Sequence, residues 1–315
     1  MKKHTYLHRT TSVILSFLML ASMLVLPQSA FITQASADNY GNFLYEINDD
    51  GTVRIHSFTD KYSNVTIPSE IDGRKVTMIG NGAFYHCTSV TNVTIPDSVT
   101  TIGKEAFEKC TSLASVTFGN SVATIDEYAF YQCTSLKSVT IPDSVMYICQ
   151  DAFNGCTSLA SIAIPRSVTT IGSSAFSNCT ALAGVDIPLS VTTIGDQAFS
   201  WCSSLTSVII PNSMTKINPY AFSNCTALAS VVIPNSVTAI DSYAFSNCNN
   251  LAGIGDTVTE IGINAFFQCT SLTSVTIGDS VTTIGDGAFE WGSLLTIYGN
   301  KGSYAEKYAN KNNIE

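Results

Sequence analysis

Charge is scarce in this sequence. Only 12% of its 315 residues are Asp, Glu, Lys or Arg, a low share for a soluble surface. Uncharged polar side chains must therefore cover the outside, and the repeats described below supply Ser, Thr and Asn for it. Basic residues are the rarer kind, 15 against 24 acidic ones, and they form no cluster, so an acidic chain of this type repels phosphate backbones and anionic lipid surfaces. Nucleic-acid partners are excluded on that ground. Histidine is almost absent, with His56 and His86 the only two beyond residue 37, which leaves little imidazole for a metal or a general base. Long apolar runs are missing after Leu26, and a membrane span needs about 20 such residues.

The one apolar run stands at the front. Lys2, Lys3 and Arg9 precede a 14-residue stretch from Val13 to Leu26, and Ala35-Ser36-Ala37 offers a small-x-small cleavage site. The pattern predicts a cleavable export signal over 1–37, and its removal takes the net charge from −9 to −12. No cysteine lies near that site to carry a lipid anchor.

What the chain has in abundance is self-similarity, which governs every later step of the reading. Ala-Phe pairs end at Phe84, Phe107, Phe130, Phe153, Phe176, Phe199, Phe222 and Phe245 with a spacing of 23, then at Phe266 after 21 and Phe289 after 23. Three residues after each Phe stands a cysteine, at Cys87, Cys110, Cys133, Cys156, Cys179, Cys202, Cys225, Cys248 and Cys269, with Gly292 in the last copy. Within one copy, Leu205-Thr206-Ser207-Val208-Ile209-Ile210 reads as a short strand closed by Pro211, since proline lacks the donor a strand interior needs. A column of Gly80, Gly103, Asp126, Cys149, Gly172, Gly195, Asn218, Asp241, Gly262 and Gly285 follows, suited to positive φ or a helix start. The Ala-Phe-x-x-Cys segment then reads as one helical turn. Such a coil cannot bury its own apolar face, whereas stacked coils bury a continuous one. The fold class is therefore an α/β repeat solenoid, a rod of about ten 23-residue coils with a parallel β-sheet on one face and short helical turns on the other. Each buried Phe contributes about 1.5–3 kcal/mol by area.

Both ends read as caps. Phe43-Leu44-Tyr45-Glu46 and Val53-Arg54-Ile55 flank Asp50-Gly51, a hairpin signal, and Ser303 with Glu306 makes a capping box for a terminal helix. The domain boundaries are thus 1–37 signal, 38–63 hairpin cap, 64–298 solenoid and 299–315 helical cap. The coil around Leu251 to Asp256 has lost two residues, so a kink is expected there.

The repeated pattern SLxSVTIPxSVTTIGxxAFxxCT, with the ending IYGNKGSYAEKYANKNN, resembles the BspA-like leucine-rich repeat family over about residues 43 to 315. The missing prolines at Gly119 and Gly278, Gly292 and the short coil depart from the pattern. The resemblance implies an exported or surface-displayed bacterial protein, some relatives being implicated in adhesion to host or extracellular-matrix proteins. It implies no shared catalytic residue.

Four uses of the cysteine column can be weighed. A metal ladder is disfavoured because thiols spread one per coil do not converge. Disulfides suit an exported chain, yet stacked identical side chains point in parallel and a disulfide needs converging β-carbons. A nucleophile needs a base, and His86 beside Cys87 faces elsewhere. Packing beside the Phe column remains, with reduced, buried thiols expected. Cys149, in a different column, is expected to be partly exposed. Gly80-Asn81-Gly82 and Gly253-Ile254-Gly255 imitate half a dinucleotide fingerprint without opening a βαβ unit. Glu46, Asn48, Asp50 and Gly51 imitate a calcium loop whose twelfth position is Ser57, not Glu.

Binding surfaces complete the reading. The outward strand pairs, such as Asn92 with Thr94, Ser138 with Thr140, Ser207 with Ile209 and Ser230 with Val232, make a flat, nearly uncharged face. The columns around Ala-Phe are richer, with Tyr85, Tyr128, Tyr131, Trp201, Tyr220, Tyr243, Phe267 and Trp291; Tyr85, Tyr128, Tyr131, Trp201, Tyr220, Tyr243 and Trp291 are the candidate partner-binding residues, because aromatics anchor interfaces. The expected function is protein binding or adhesion at or outside the cell surface, without enzymatic activity, cofactor or metal. A structural spacer without a specific ligand is the alternative. With no sorting motif or hydrophobic tail in the sequence, release or non-covalent attachment is expected.

Overall fold

The computed structural model describes residues 38–59, 61–251, 258–291 and 295–315. The export signal, the short coil's 252–257, Gly253-Ile254-Gly255 and Gly292 lie outside the described residues.

Strand β1 (Asp38–Tyr40), β2 (Phe43–Ile47) and β3 (Val53–Phe58) form an antiparallel entry unit, with Gly51 at φ 80° in the β2–β3 turn. The free edge of β3 then pairs in parallel with Arg74–Ile79 and passes the ladder to the coils. The five extra residues of the first coil make a hairpin of Glu70–Ile71 against Arg74–Ile79, turned by Asp72 and Gly73 at positive φ. From there two parallel ladders run side by side. Eight three-residue strands, from Asn64–Thr66 to Ser230–Val232, pair in register, and their middle residues point inward. Two-residue Thr-Ile-type strands form the second ladder, from Thr101–Ile102 to Thr193–Ile194 and again from Lys216–Ile217 to Thr283–Ile284. Between Ile194 and Ile217 the ladder is interrupted. There the Asn218 side-chain amide takes the Ile194 carbonyl at 2.8 Å, where other coils use a backbone N–H, as Gly195 does toward Ile171 at 2.8 Å.

The turn face is not helical. In the Phe107 coil, the N–H groups of Ala106, Glu108 and Cys110 bond three residues back, at 3.0–3.2 Å, while those of Glu105, Phe107 and Lys109 bond carbonyls of the next coil at 2.7–2.9 Å. A helix satisfies its donors internally; here every second donor stitches coil to coil, which requires a left-handed residue on either side of the Phe. The Gly/Asn/Asp column is not where positive φ falls. Glycine serves close approach there instead: a Cβ on Gly195 or Gly262 would sit 2.4 Å from the backbone nitrogen of the neighbouring coil.

The ten phenylalanines form one column of nearly parallel rings, with centroids 4.7–5.5 Å apart. Phe58 stacks on Phe84 at one end and Tyr308 meets Phe289 edge-on at the other. Tyr308 belongs to α1 (Tyr304–Asn312), whose N-terminus is capped by Ser303 Oγ accepting from the Glu306 N–H at 3.3 Å. The Glu306 carboxylate reaches back to the Gly302 N–H at 2.7 Å, one residue earlier than a capping box closes. Among the described residues no helix is long and apolar enough to cross a membrane.

Candidate functional site

Every coil presents the same three outward columns around its buried Phe. The residues two before and two after it are left-handed in all ten coils, with φ between 54° and 75°. The residue one after it lies between these two walls. Left-handed positions favour Gly, Asn and Asp, and holding a bulky residue there costs about 1–3 kcal/mol. The column after Phe accordingly reads Asn178, Asn224, Asn247 and Gly155 in several coils, yet Trp201 and Trp291 occupy it too. Tyr128, Tyr220 and Tyr243 stand in the column before it.

The seven predicted aromatics separate into four places. Tyr85 is taken up by Lys109, whose ammonium lies 5.4 Å from the ring centroid and donates to the phenol at 3.3 Å. Tyr128 and Tyr131 meet edge-on at 5.6 Å, and Asp151 holds the Tyr128 phenol proton on by its nearby negative charge, raising its pKa. Trp291 stands four coils beyond Trp201, beside Tyr308 in a cavity of about 410 Å³. Trp201, Tyr220 and Tyr243 converge on one trough.

These three line a trough of about 540 Å³ that runs along the stacking direction. One wall is Gln197, Tyr220 and Tyr243; the other is Trp201, Asn224 and Asn247; buried Ser200, Ser223 and Ser246 form the floor, and Phe267 closes one end. The tyrosine rings stack face to face with centroids 4.7 Å apart and planes within 3°. Asn247 Nδ2 donates to Asn224 Oδ1 at 3.0 Å, and Asn224 Nδ2 to Ser223 Oγ at 2.8 Å. No lining residue is an Asp, Glu, Lys, Arg or His.

The strand side carries a second feature that the sequence reading missed. A groove of about 1110 Å³ is lined by Ile164, Pro165, Ile187, Pro188, Leu189 and Ile209, with Asp143, Arg166 and Asp186 as its charged members. Leu189 is 71% exposed and stands where other coils have Asp97, Asp143, Arg166, Asn212 or Asn235. Ile209, 66% exposed, pairs with Val232, 53% exposed, in a column otherwise mostly Thr. The signal was present as three departures from repeat columns.

The cysteine column is interior and free of disulfides. Each thiol does more than fill space: Cys225 Sγ donates to the Phe199 carbonyl of the preceding coil at 3.1 Å, and Cys110 to Cys269 repeat that contact at 3.0–3.3 Å. Burial pushes the Cys225 thiol up to about 12, and Cys179 likewise. Cys149, half-buried, is pushed up to about 11, first by desolvation and then by Asp126 and Glu127. None of these thiols with raised values is a thiolate at neutral pH, so they lack nucleophilic character. The residues resembling a calcium loop are dispersed into the hairpin: Glu46 pairs with Arg54, and Asp50 accepts from the Thr52 N–H and hydroxyl at 2.9 and 2.6 Å. Among the described residues no group of three or more potential ligands is placed to hold a metal ion.

Comparison with known proteins places this geometry among relatives. A BspA type leucine rich repeat region matches in six copies, over residues 77–206, 123–252 and 253–313. The chain is similar to the crystal structure of a leucine-rich repeat protein from Bacteroides ovatus ATCC 8483, at 26% identity over 82% of this chain and 81% of that one, with a TM-score of 0.56. It is also similar to a leucine rich repeat protein of T. pallidum, at 29% identity over 75% and 90% with a TM-score of 0.49. A leucine rich cell surface protein from Faecalibacterium prausnitzii A2-165 shares 26% identity over 87% and 97%, with a TM-score of 0.46. No curated protein sequence matches the chain.

Proposed function

Because the chain belongs to the BspA-type leucine-rich repeat family, we propose that it is an exported, non-enzymatic module that binds a protein at or outside the cell surface. The carrying observation is the strand-side groove. Leu189, Ile209 and Val232 leave a contiguous apolar surface in water on a face that the repeat otherwise keeps polar, with Asp143, Arg166 and Asp186 close by. Contiguous exposed apolar surface near polar residues is the signature of a protein interface. The basic start, apolar run and small-x-small site over 1–37 support export, and the protonated, buried thiols support a non-catalytic reading of the cysteine column.

The repeat itself supplies the test. Replacing Leu189→Asn, Ile209→Thr and Val232→Thr installs residues that other coils carry in these columns, as Asn212 and Thr140 do, so the fold is kept. Against a panel of purified extracellular-matrix and cell-surface proteins, the full chain is expected to bind at least one saturably. The triple variant is expected to lose that binding at least tenfold with an unchanged melting temperature. A wild-type chain that binds no member of the panel favours a structural spacer.

A further inference from the structure

We propose that the trough of Trp201, Tyr220, Tyr243, Asn224 and Asn247 is a binding site for a neutral, extended oligosaccharide, distinct from the protein-binding groove on the strand side. Three observations select this ligand class. First, the trough holds no Asp, Glu, Lys, Arg or His, so it offers nothing to compensate an ionic ligand on desolvation. Second, its backbone is already engaged. The N–H groups of Ser200, Ser223 and Ser246 bond within their coils at 3.0–3.2 Å, and the Ser223 and Ser246 carbonyls accept from Trp201 and Asn224 at 2.8 Å. A peptide therefore finds no free strand edge to extend and no apolar pocket in the hydroxyl floor.

What remains available is the Trp201 indole, the edges and outer faces of the Tyr220–Tyr243 stack, and the unused donors and lone pairs of the asparagine amides, the Ser223 and Ser246 hydroxyls being buried and bonded to each other at 3.3 Å. A pyranose presents the complementary set: C–H faces of slight positive charge for the negative π-face of Tyr or Trp, and hydroxyls for the amides. An asparagine amide has two donors and two acceptor lone pairs, and in Asn224 one donor and one lone pair are used by Ser223 and Asn247. Third, the trough repeats along its length. Successive coils stand 4.7 Å apart at Tyr220–Tyr243 and 5.5 Å apart at Phe199–Phe222, close to the advance of an extended β-linked glycan per sugar unit. One sugar per coil then meets one residue from each wall at each step, Gln197 with Trp201, Tyr220 with Asn224 and Tyr243 with Asn247. The bulky left-handed residues Trp201, Tyr220 and Tyr243, disfavoured by their backbone conformation, are the groups this ligand uses.

The chain contains two tryptophans, so Trp291→Phe leaves Trp201 as the sole indole reporter. In that background, titration of the full chain with neutral cellohexaose or mannohexaose is expected to give a saturable change in Trp201 emission. Glucose, and an oligogalacturonate of equal length, are expected to bind at least tenfold more weakly. Tyr220→Ser with Tyr243→Ser abolishes the response; should that variant fail to fold, Asn224→Ala with Asn247→Ala is expected to weaken it at least tenfold. The same saccharide leaves protein capture by the Leu189 groove unchanged, so the two readings fail separately. No saturable response to either neutral hexasaccharide, or a response that survives the substitutions, overturns the proposal. A Trp201 response to a purified matrix protein alone, without one to saccharide, overturns it in favour of a protein ligand.

Discussion

At the scale of single residues, cysteine is the side chain whose role is most sharply defined. The spacing alone identified an interior column but left packing as its whole purpose. The structure adds a thiol-to-carbonyl contact in coil after coil, made to the Phe carbonyl that already accepts the N–H of its own coil's cysteine. This contact explains a weak donor of small volume at that place. Exposure and proton affinity then set reactivity: the interior thiols are shielded and held protonated, and Cys149 is half-buried with its thiol raised to about 11. Native protein at pH 8 is expected to label slowly at Cys149 alone, and Cys149→Ser to remove that labelling. Unfolded protein, without added reductant, is expected to label at all 10 cysteines. Disulfide-linked peptides recovered from unfolded protein would contradict the packing role.

Among elements, the caps and the turn face differ in how far the sequence disclosed them. The Asp50-Gly51 hairpin and the Ser303 helix were legible because each carries its own local chemistry. The turn face was misread as helical because Ala-Phe-x-x-Cys has a helix-like apolar spacing, whereas the deciding bonds run to a coil 22 residues away and leave no local mark. The same limit hid the strand-side groove. Leu189 is unremarkable as a residue after proline and becomes informative only when compared down its column. The aromatic trio was legible as composition, but its convergence in one trough depended on the serine floor between two left-handed walls. The terminal cap offers a direct test. Tyr308 covers the last ring of the stack and its hydroxyl accepts from the Phe289 N–H at 3.3 Å. In an array where each coil is supported by its neighbours, losing a cap frays the end first. Tyr308→Ala is expected to raise hydrogen exchange in the Phe289 coil well before the Phe153 coil is affected, whereas Ser303→Ala costs about 1 kcal/mol through the helix start.

For the stacked unit taken as a whole, the thiols act together and tie stability to alkaline pH. An unfolded cysteine loses its proton near its ordinary value of about 8.5, whereas Cys179, Cys225 and Cys269 keep theirs to about 12 in the fold because burial penalises the anion. Between these values the folded state binds more protons than the unfolded one, so stability is intact below the unfolded value and falls as pH rises. Each buried thiol removes about 1.4 kcal/mol per pH unit in that window. Cys133, Cys156, Cys202 and Cys248 are displaced in the same direction by the same burial, so the losses accumulate along the column. Net stabilities of folded domains are only about 5–15 kcal/mol. Unfolding by base is therefore expected within roughly one to two pH units above the unfolded thiol value, as a steep cooperative step with release of several protons. Circular dichroism followed against pH, with proton release measured on the same sample, reads this directly. Replacing two adjacent interior cysteines, Cys202→Ala and Cys225→Ala, lowers stability at neutral pH by removing two contacts and two sulfur volumes. Yet it makes the alkaline transition shallower, because two of the titrating groups are gone. A variant whose transition keeps the wild-type steepness places the proton release elsewhere than in the thiol column.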